Sequence, residues 1–172
     1  MPQSEDELFR DLYRRHRGAI TAYVRRRAPA EAVEDIVADT FLVCWRRRDR
    51  VPTDALPWLY AVALRTAANH SRKRAHADPA GIPIDPPAFA QPLPADDPAL
   101  ADAFAALSER DREVLCLVAW EGLPLQQAAK VLQCSPVAAR VRFHRARRRL
   151  AERLADTELK AAHQPLPEGA TQ

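Results

Sequence analysis

Apolar residues recur at three- and four-residue steps along most of the chain, which is the periodicity of amphipathic helices. A first stripe runs from Leu8 to Val24, and the strongest stripe predicts a helix over about 32–48. A third helix is expected to start at Pro57 and to continue to Arg74. No alternation with period two persists, so the pattern predicts an all-α fold. The side chains expected to face the core in the second and third helices are Val33, Ile36, Val37, Thr40, Phe41, Cys44, Trp45, Leu59, Val62, Ala63 and Thr66.

Prolines divide the chain into two parts. They recur between Asp78 and Glu109, where they interrupt any regular element. This stretch is also acidic, and it predicts a linker over residues 77–98 between two small helical domains. The domains are expected to cover residues 5–76 and 99–155. Periodicity fades from about Asp156, so a disordered tail is expected over 156–172.

The second domain ends in a predicted helix-turn-helix. Ser135 is a good N-cap, and Pro136 suits the first position of a helix because its missing N–H costs nothing there. A short helix over 123–132 precedes it, with Gln133 and Cys134 as the connection. The last helix would then be offered to a DNA major groove. Its core-facing residues would be Ala139, Phe143, Ala146 and Leu150.

Arginine dominates the other faces of this last helix. Glu152 is the sole acidic residue between Cys134 and Arg153, so the helix lacks the opposite charges that solvated helices usually carry. The chain has a net charge of +3 and a pI near 9.0. Guanidinium groups suit phosphates and base edges. A solvated basic face is the alternative, but the helix-turn-helix order favours nucleic acid.

Two polar surfaces of the first domain admit more than one interpretation. Asp35, Asp39 and Leu42 share one helix face, which suits a basic protein partner or is a solvated face with one exposed leucine. A second face combines an aromatic ring, an amide and two cations, which could stack and hydrogen-bond a base. Its tryptophan could equally be a core residue. The members of this face are Trp58, Arg65, Asn69 and Arg72.

Other classes of protein find no support in the sequence. The three cysteines form no CxxC pair, the five histidines show no metal-ligand spacing, and only four glycines are present. We therefore expect no catalytic residue, no metal and no cofactor. No apolar run is long enough to span a bilayer and no signal sequence is visible, so a cytoplasmic protein without membrane insertion is expected.

Several segments in order resemble the extracytoplasmic-function (ECF) sigma factors of the sigma-70 family. Residues 32–45, AVEDIVADTFLVCW, resemble the polymerase-binding helix of that family, and Pro57-Trp58-Leu59-Tyr60 with Asn69 resembles its promoter-melting helix. In the second domain, residues 107–115, Glu121-Gly122-Leu123 and His144-Arg145-Ala146 resemble the region that binds the upstream promoter element. The likeness extends from Leu8 to Leu154.

This resemblance implies a function and a set of partners. The chain would bind core RNA polymerase and direct transcription from specific promoters, without being an enzyme. Asp35, Asp39 and Leu42 would contact the clamp helices of the beta-prime subunit, and the second domain would lean on the beta flap. An anti-sigma factor is a further candidate partner. The minus-ten element would be bound by Trp58, Arg65, Asn69 and Arg72, and the minus-thirty-five element by Ser135, Arg140, Val141, His144 and Arg145.

The main alternative is a helix-turn-helix regulator that binds an operator as a dimer. It would explain residues 108–153, but it would leave both polar faces of the first domain without a role. An enzyme is disfavoured further, because no Ser/His/Asp or paired-carboxylate arrangement is evident.

Overall fold

The computed structural model describes residues 5–77 and 97–162, and this part of the chain is helical without a strand. The expected all-α fold is thereby confirmed. Most of the predicted linker and residues 163–172 lie outside the described residues. The helices are α1 (Glu5–Arg25), α2 (Val33–Arg46), α3 (Ala55–Ala77), α4 (Pro98–Ala105), α5 (Glu109–Ala119), α6 (Leu125–Val131) and α7 (Pro136–Ala162).

The first module consists of α1, α2 and α3, each packed against the other two. The stripes predicted for α2 and α3 face this core: Ile36 and Leu59 are almost completely buried, and Trp45 is half-buried. The stripe of α1 is buried only in its second half, at Ile20, Tyr23 and Val24. Leu8 was expected in the same stripe but is 54% exposed, because at this turn of α1 Phe9 packs against the core and meets the ring of Trp45.

The second module is built on α7, against which α4, α5 and α6 pack. Side-chain caps start three of its helices, as the N-terminal N–H groups of a helix require. The backbone N–H of Ala99 donates to Asp97 at 2.9 Å, that of Asp111 to Ser108 at 3.2 Å and that of Ala138 to Ser135 at 3.1 Å. The predicted start at Ser135 and Pro136 is confirmed. Pro98, in contrast, begins α4 and does not interrupt a helix.

Helix α7 is longer than its periodicity indicated. Ala139 and Ala146 are completely buried, and Phe143 and Leu150 pack against the second core, as predicted. The helix then continues to Ala162. The disordered tail expected from Asp156 is therefore wrong for residues 156–162. A helix can continue without an apolar stripe when its residues have good helix propensity, and Ala, Glu, Leu and Lys dominate this segment.

The two modules pack against each other. Helix α6 lies on α3, and four apolar residues of the second module join the main core of the first. These residues are Leu117, Leu123, Ala128 and Val131. Helical periodicity shows that a side chain is buried but not which helix covers it, so the sequence did not reveal this contact.

Candidate protein and nucleic-acid interfaces

The mixed face of α2 is open to solvent. Asp35 and Asp39 are exposed, and Leu42 retains 43% of its surface. The face arises because α2 uses its opposite side, with Ile36 and Phe41, against α1 and α3. Carboxylates beside an exposed apolar side chain form a surface that suits a partner with basic and apolar groups.

A side-chain contact links this face to α3. Nε2 of His70 lies 3.0 Å from Oδ2 of Asp39, on the exposed side of the module. Beside this contact runs a groove of about 400 Å³ whose lining includes Leu42, Asn69 and Arg72. The two surfaces that the sequence singled out separately are therefore neighbours.

Three of the four residues predicted for the second polar face, on α3, lie on the surface. Arg65, Asn69 and Arg72 are exposed, and Nη2 of Arg72 donates to Oδ1 of Asn69 at 2.6 Å. Trp58 is half-buried and packs against the main core. Part of its indole therefore belongs to the core, and the remainder borders the exposed part of α3.

The outer face of α7 holds four of the five residues predicted for duplex DNA, and the fifth, Ser135, caps the helix. Ser135, Arg140, His144 and Arg145 are exposed, and Val141 is 44% exposed. Within the described residues, Arg140, Arg142, Arg145 and Arg147 form no ion pair. The expectation that the whole helix lacks acidic partners is wrong at two positions. Arg149 donates to Asp111 of α5 at 2.6 Å, and Arg148 lies 3.2 Å from Glu152.

A buried ion pair joins the modules. Arg27, just after α1, is 1% exposed and donates from Nε and Nη2 to the two oxygens of Glu113 in α5, at 2.8 and 3.0 Å. The hydroxyl of Tyr23 donates to the same carboxylate at 2.8 Å. Burial, together with the charge of Glu113, raises the pKa of Tyr23 well above its ordinary value. The phenol therefore remains a donor. The ion pair between Arg27 and Glu113 is bidentate.

A second carboxylate extends this network. Glu121 accepts from Arg26, and Oε2 of the same residue accepts from the hydroxyl of Tyr60 at 3.2 Å. Gly122 has a φ of 66°, a left-handed conformation that glycine adopts without strain, and it makes the turn that places Glu121 there. At the exposed edge of the contact between the modules, Nε2 of Gln127 in α6 donates to Oδ2 of Asp54 at 2.7 Å. Asp54 is the last residue of the loop before α3, a helix that starts at Ala55, two residues earlier than predicted.

The inter-module network was missed by sequence reasoning. Arg27 and Glu113 are 86 positions apart, and neither stands out in a list of charged residues. Glu121 and Gly122 were noted only for their resemblance to a family segment. A buried charge is visible in a sequence only when it interrupts an apolar stripe, and Arg27 lies in a connection between helices.

The remaining chemistry of the described residues is limited. Among them, no cluster of His, Cys, Asp or Glu could hold a metal ion, and no helix is both long and apolar enough to cross a membrane. Cys44, Cys116 and Cys134 are free thiols. Burial raises the pKa of Cys44 to about 11 and that of Cys116 to about 12.

These features define a class of protein: an all-helical protein of two modules, with an exposed basic helix in a helix-turn-helix and an exposed acidic and apolar face on α2. Residues 12–77 match the family described as Sigma-70 region 2, and residues 98–150 match Sigma-70, region 4. The matches coincide with the two modules of the structure.

Similar proteins agree with both matches. The chain is 32% identical over 164 residues to the RNA polymerase sigma factor CarQ of Myxococcus xanthus, covering 91% of this chain and 94% of CarQ. It is 32% identical over 144 residues to the ECF RNA polymerase sigma factor SigF of Caulobacter vibrioides, covering 78% and 79% of the two chains. The fold is similar to that of the sigma factor RpoE from Bartonella quintana, solved with the anti-sigma factor NepR. There the TM-score is 0.66 at 24% identity, over 86% of this chain and 96% of the other.

The chain belongs to the ECF sigma factors of the sigma-70 family. It is an alternative sigma factor, which binds core RNA polymerase and directs transcription initiation at specific promoters. Sigma factors are initiation factors, and the polymerase catalyses RNA synthesis. The resemblance stated from sequence motifs is confirmed.

Proposed function

We propose that this chain recruits core polymerase through the mixed face of α2 and reads the two promoter elements through α3 and α7. Asp35, Asp39 and Leu42 bind the beta-prime clamp helices. The observation that carries the proposal is the adjacency of α2 and α3, where the Asp39–His70 contact joins the polymerase face to the minus-ten face. A protein that must hold DNA strands against a polymerase surface needs these two faces side by side.

The minus-ten element is assigned to α3 and the loop before it. Arg65, Asn69 and Arg72 contact bases or phosphates, and Trp58 with residues 51–56 holds the strands apart. A groove of about 440 Å³ lies beside this loop, lined by Leu12, Val51 and Thr53 among others. A groove of this size accommodates a small planar group. It therefore supports the binding of an unstacked base, whose extrusion separates the strands.

The minus-thirty-five element is assigned to the outer face of α7. Ser135, Arg140, Val141, His144 and Arg145 face the major groove, and Val141 is free to contact a thymine methyl group. Arg140 and Arg145 have no ion pair within the described residues, so their full charge is available to DNA. The remainder of the second module leans on the beta flap.

The cellular location of the chain and a further protein partner follow from the same assignment. The chain acts in the cytoplasm, where polymerase and promoter lie, and it has no enzymatic activity of its own. The neighbour from Bartonella quintana was solved with an anti-sigma factor. We infer that the mixed face of α2 is also the surface that such an inhibitor covers, because binding there excludes polymerase.

Charge reversal tests the polymerase face. Asp35→Arg/Asp39→Arg places two cations where basic groups of the polymerase would dock, and unfavourable charge pairs of this kind cost several kcal/mol. We expect the affinity for purified core polymerase, measured by fluorescence anisotropy, to fall at least tenfold, about 1.4 kcal/mol.

Asp6→Arg/Asp11→Arg is the matched control, because it makes the same charge change at two exposed positions of α1 to which no polymerase contact is assigned. It is expected to bind core polymerase like the wild type. Equal affinities of the two variants would refute the assignment of the α2 face. Circular dichroism establishes that both variants are folded.

A further inference from the structure

Two valines lie on the solvent side of α7. Val137 is 72% exposed and Val141 is 44% exposed, whereas Ala139 and Ala146 on the opposite side are completely buried. Single exposed apolar residues are common on protein surfaces. These two are four positions apart, however, so their side chains lie one above the other on the same face of the helix. The packing of the fold does not account for this apolar pair.

The pair occupies the part of a helix-turn-helix that approaches base edges. Helix α7 begins at Pro136, so Val137 and Val141 lie in its first two turns. In this motif the N-terminal residues of the second helix contact base edges in the major groove. A shallow groove of about 460 Å³ follows this face, and its lining includes both valines and Arg145. Val137, which is not among the residues assigned to DNA, is thus continuous with the surface that is.

The charges around the valines favour DNA over an apolar protein surface as the partner. Arg140 and Arg145 are exposed on either side of the pair and form no ion pair within the described residues. The acidic residue that borders the groove, Asp111, is buried and accepts from Arg149. An apolar protein surface would remove the two free guanidinium groups from water without a counter-charge, whereas a duplex offers them phosphates.

The base edge that fits this face is that of thymine. Its C5-methyl group is the apolar group that unmodified DNA presents in the major groove, and the O4 acceptor beside it suits an arginine donor such as Arg145. Cytosine instead presents an N4 donor, which carboxylates accept. The carboxylate of Asp111 is already engaged by Arg149. The face therefore suits thymine better than methylated cytosine.

The spacing of the valines fits two such methyl groups. Side chains four positions apart on a helix have Cβ atoms about 5–6 Å apart. Successive bases of one strand rise by about 3.4 Å along the duplex axis. Methyl groups one or two base steps apart are therefore separated by about the same distance as the valines. Each valine can contact a thymine of its own.

We propose that Val137 and Val141 set the sequence specificity of α7 by contacting the C5-methyl groups of two thymines that lie within two base steps of each other. Val137 is thereby a specificity-determining residue of the minus-thirty-five contact. This inference rests on the proposed function for the role of α7. It adds which base is read, by which side chains and through which group of the base.

Replacing thymine by uracil tests the contact directly. Duplexes that bind best are selected from random DNA, both by the full chain alone and by its complex with core polymerase. Each thymine of the selected upstream element is then replaced by uracil, which removes the methyl group and keeps every hydrogen-bonding group. We expect two of these replacements to weaken binding about fourfold each, or about 0.8 kcal/mol, the value of one buried methylene-sized group.

Alanine variants assign each methyl group to its valine. Val137→Ala should lose the effect of one uracil replacement and Val141→Ala the effect of the other, because the contact is already absent. Both positions are exposed and alanine has the higher helix propensity, so both variants should fold, which circular dichroism checks. Arg140→Ala is the control. It should weaken binding to the thymine and uracil duplexes alike and so retain both uracil effects.

The outcomes separate this inference from the proposed function. Uracil duplexes that bind as tightly as thymine duplexes, uracil effects that persist in both valine variants, or a selected sequence without two such thymines would overturn the inference. The proposed function stands in those cases if the chain still binds core polymerase. If the thymine contacts are found but core polymerase is not bound, the proposed function fails and the assignment of the valines holds. A chain that selects no sequence in either form overturns both.

Discussion

At the scale of single residues, burial and charge pairing separate side chains that look alike in the sequence. Arg27 is almost completely buried against Glu113, Arg149 is held by Asp111, and Arg145 is exposed without an ion pair in the described part of the chain. All three are arginines, yet only the last presents its full charge to solvent. Composition alone would assign them the same role.

Arg145 and Arg149 of α7 give the first residue-scale prediction. Arg145→Ala should weaken binding to duplex minus-thirty-five DNA by about 1–3 kcal/mol if the side chain reads a base. If it contacts a phosphate, the slope of log affinity against log salt concentration should instead fall in magnitude by about one. Arg149→Ala is the matched control, and it should leave DNA affinity within about threefold of the wild type. It should instead lower the unfolding free energy by about 1 kcal/mol, because buried Asp111 loses its donor.

Both effects are measurable by fluorescence anisotropy at several salt concentrations and by urea unfolding. The reverse pattern, with DNA binding lost in Arg149→Ala and kept in Arg145→Ala, would contradict the orientation of α7.

The thiols give a second residue-scale prediction. Cys44 and Cys116 are buried, and burial raises their pKa to about 11 and about 12. Thiolate is the reactive form, so both should be inert near pH 8. Cys134 is partly exposed. A disulfide-exchange assay of the native chain should therefore show one fast thiol, which is absent in Cys134→Ser, and two that react at least tenfold more slowly until urea is added.

At the scale of the elements, the sequence predicted the features that depend on neighbouring residues alone. The start of α7 follows from the capping preference of Ser135 and the fixed φ of Pro136, and the buried faces of α2 and α3 follow from helical period. Predictions from the sequence were wrong where the structure depends on contacts between distant residues or on weak helix propensities. The exposure of Leu8, the helix at Pro98 and the continuation of α7 to Ala162 are such cases.

The capping role of Ser135 at the start of α7 can be separated experimentally from its proposed contact with DNA. Ser135→Ala removes the bond to the N–H of Ala138 and should cost about 1 kcal/mol of unfolding free energy. Ser135→Asp retains the cap, and we expect near wild-type stability. Its added negative charge should nevertheless weaken duplex DNA binding, because the position faces the phosphates in the proposed complex. If Ser135→Asp bound DNA as well as the wild type, Ser135 would be a cap only.

At the scale of the whole molecule, the arrangement of the modules was beyond the sequence. The helix-turn-helix could be anticipated, since the cap of its second helix is marked locally by Ser135 and Pro136. The interface could not, because Tyr23 and Arg27 meet Glu113, and Tyr60 meets Glu121, only when the second module packs on the first.

The tyrosines of the interface make stability dependent on pH. Burial first, and the neighbouring carboxylates Glu113 and Glu121 second, raise the pKa of Tyr23 and Tyr60 above the ordinary value of about 10. The folded state therefore favours the protonated phenols. Their contribution is fully present below pH 10 and is lost as the pH rises from there toward the raised values.

Urea midpoints measured between pH 8 and pH 11 should fall steeply above pH 10 for the wild type. Tyr23→Phe/Tyr60→Phe should start from a lower midpoint and show a shallower decline, because its interface has no phenol to ionise. If the urea midpoints of the two chains fell in parallel with rising pH, these tyrosines would be excluded as the source of the pH dependence.

The central claim is that this chain directs core polymerase to particular promoters. The most direct measurement is run-off transcription with purified core polymerase on fragmented genomic DNA, with the wild-type chain, with Asp35→Arg/Asp39→Arg and without either. Discrete transcripts that require the wild-type chain and vanish with the variant are the predicted result. Tight DNA binding by a chain that neither binds nor redirects core polymerase would contradict the account and favour a dimeric helix-turn-helix regulator.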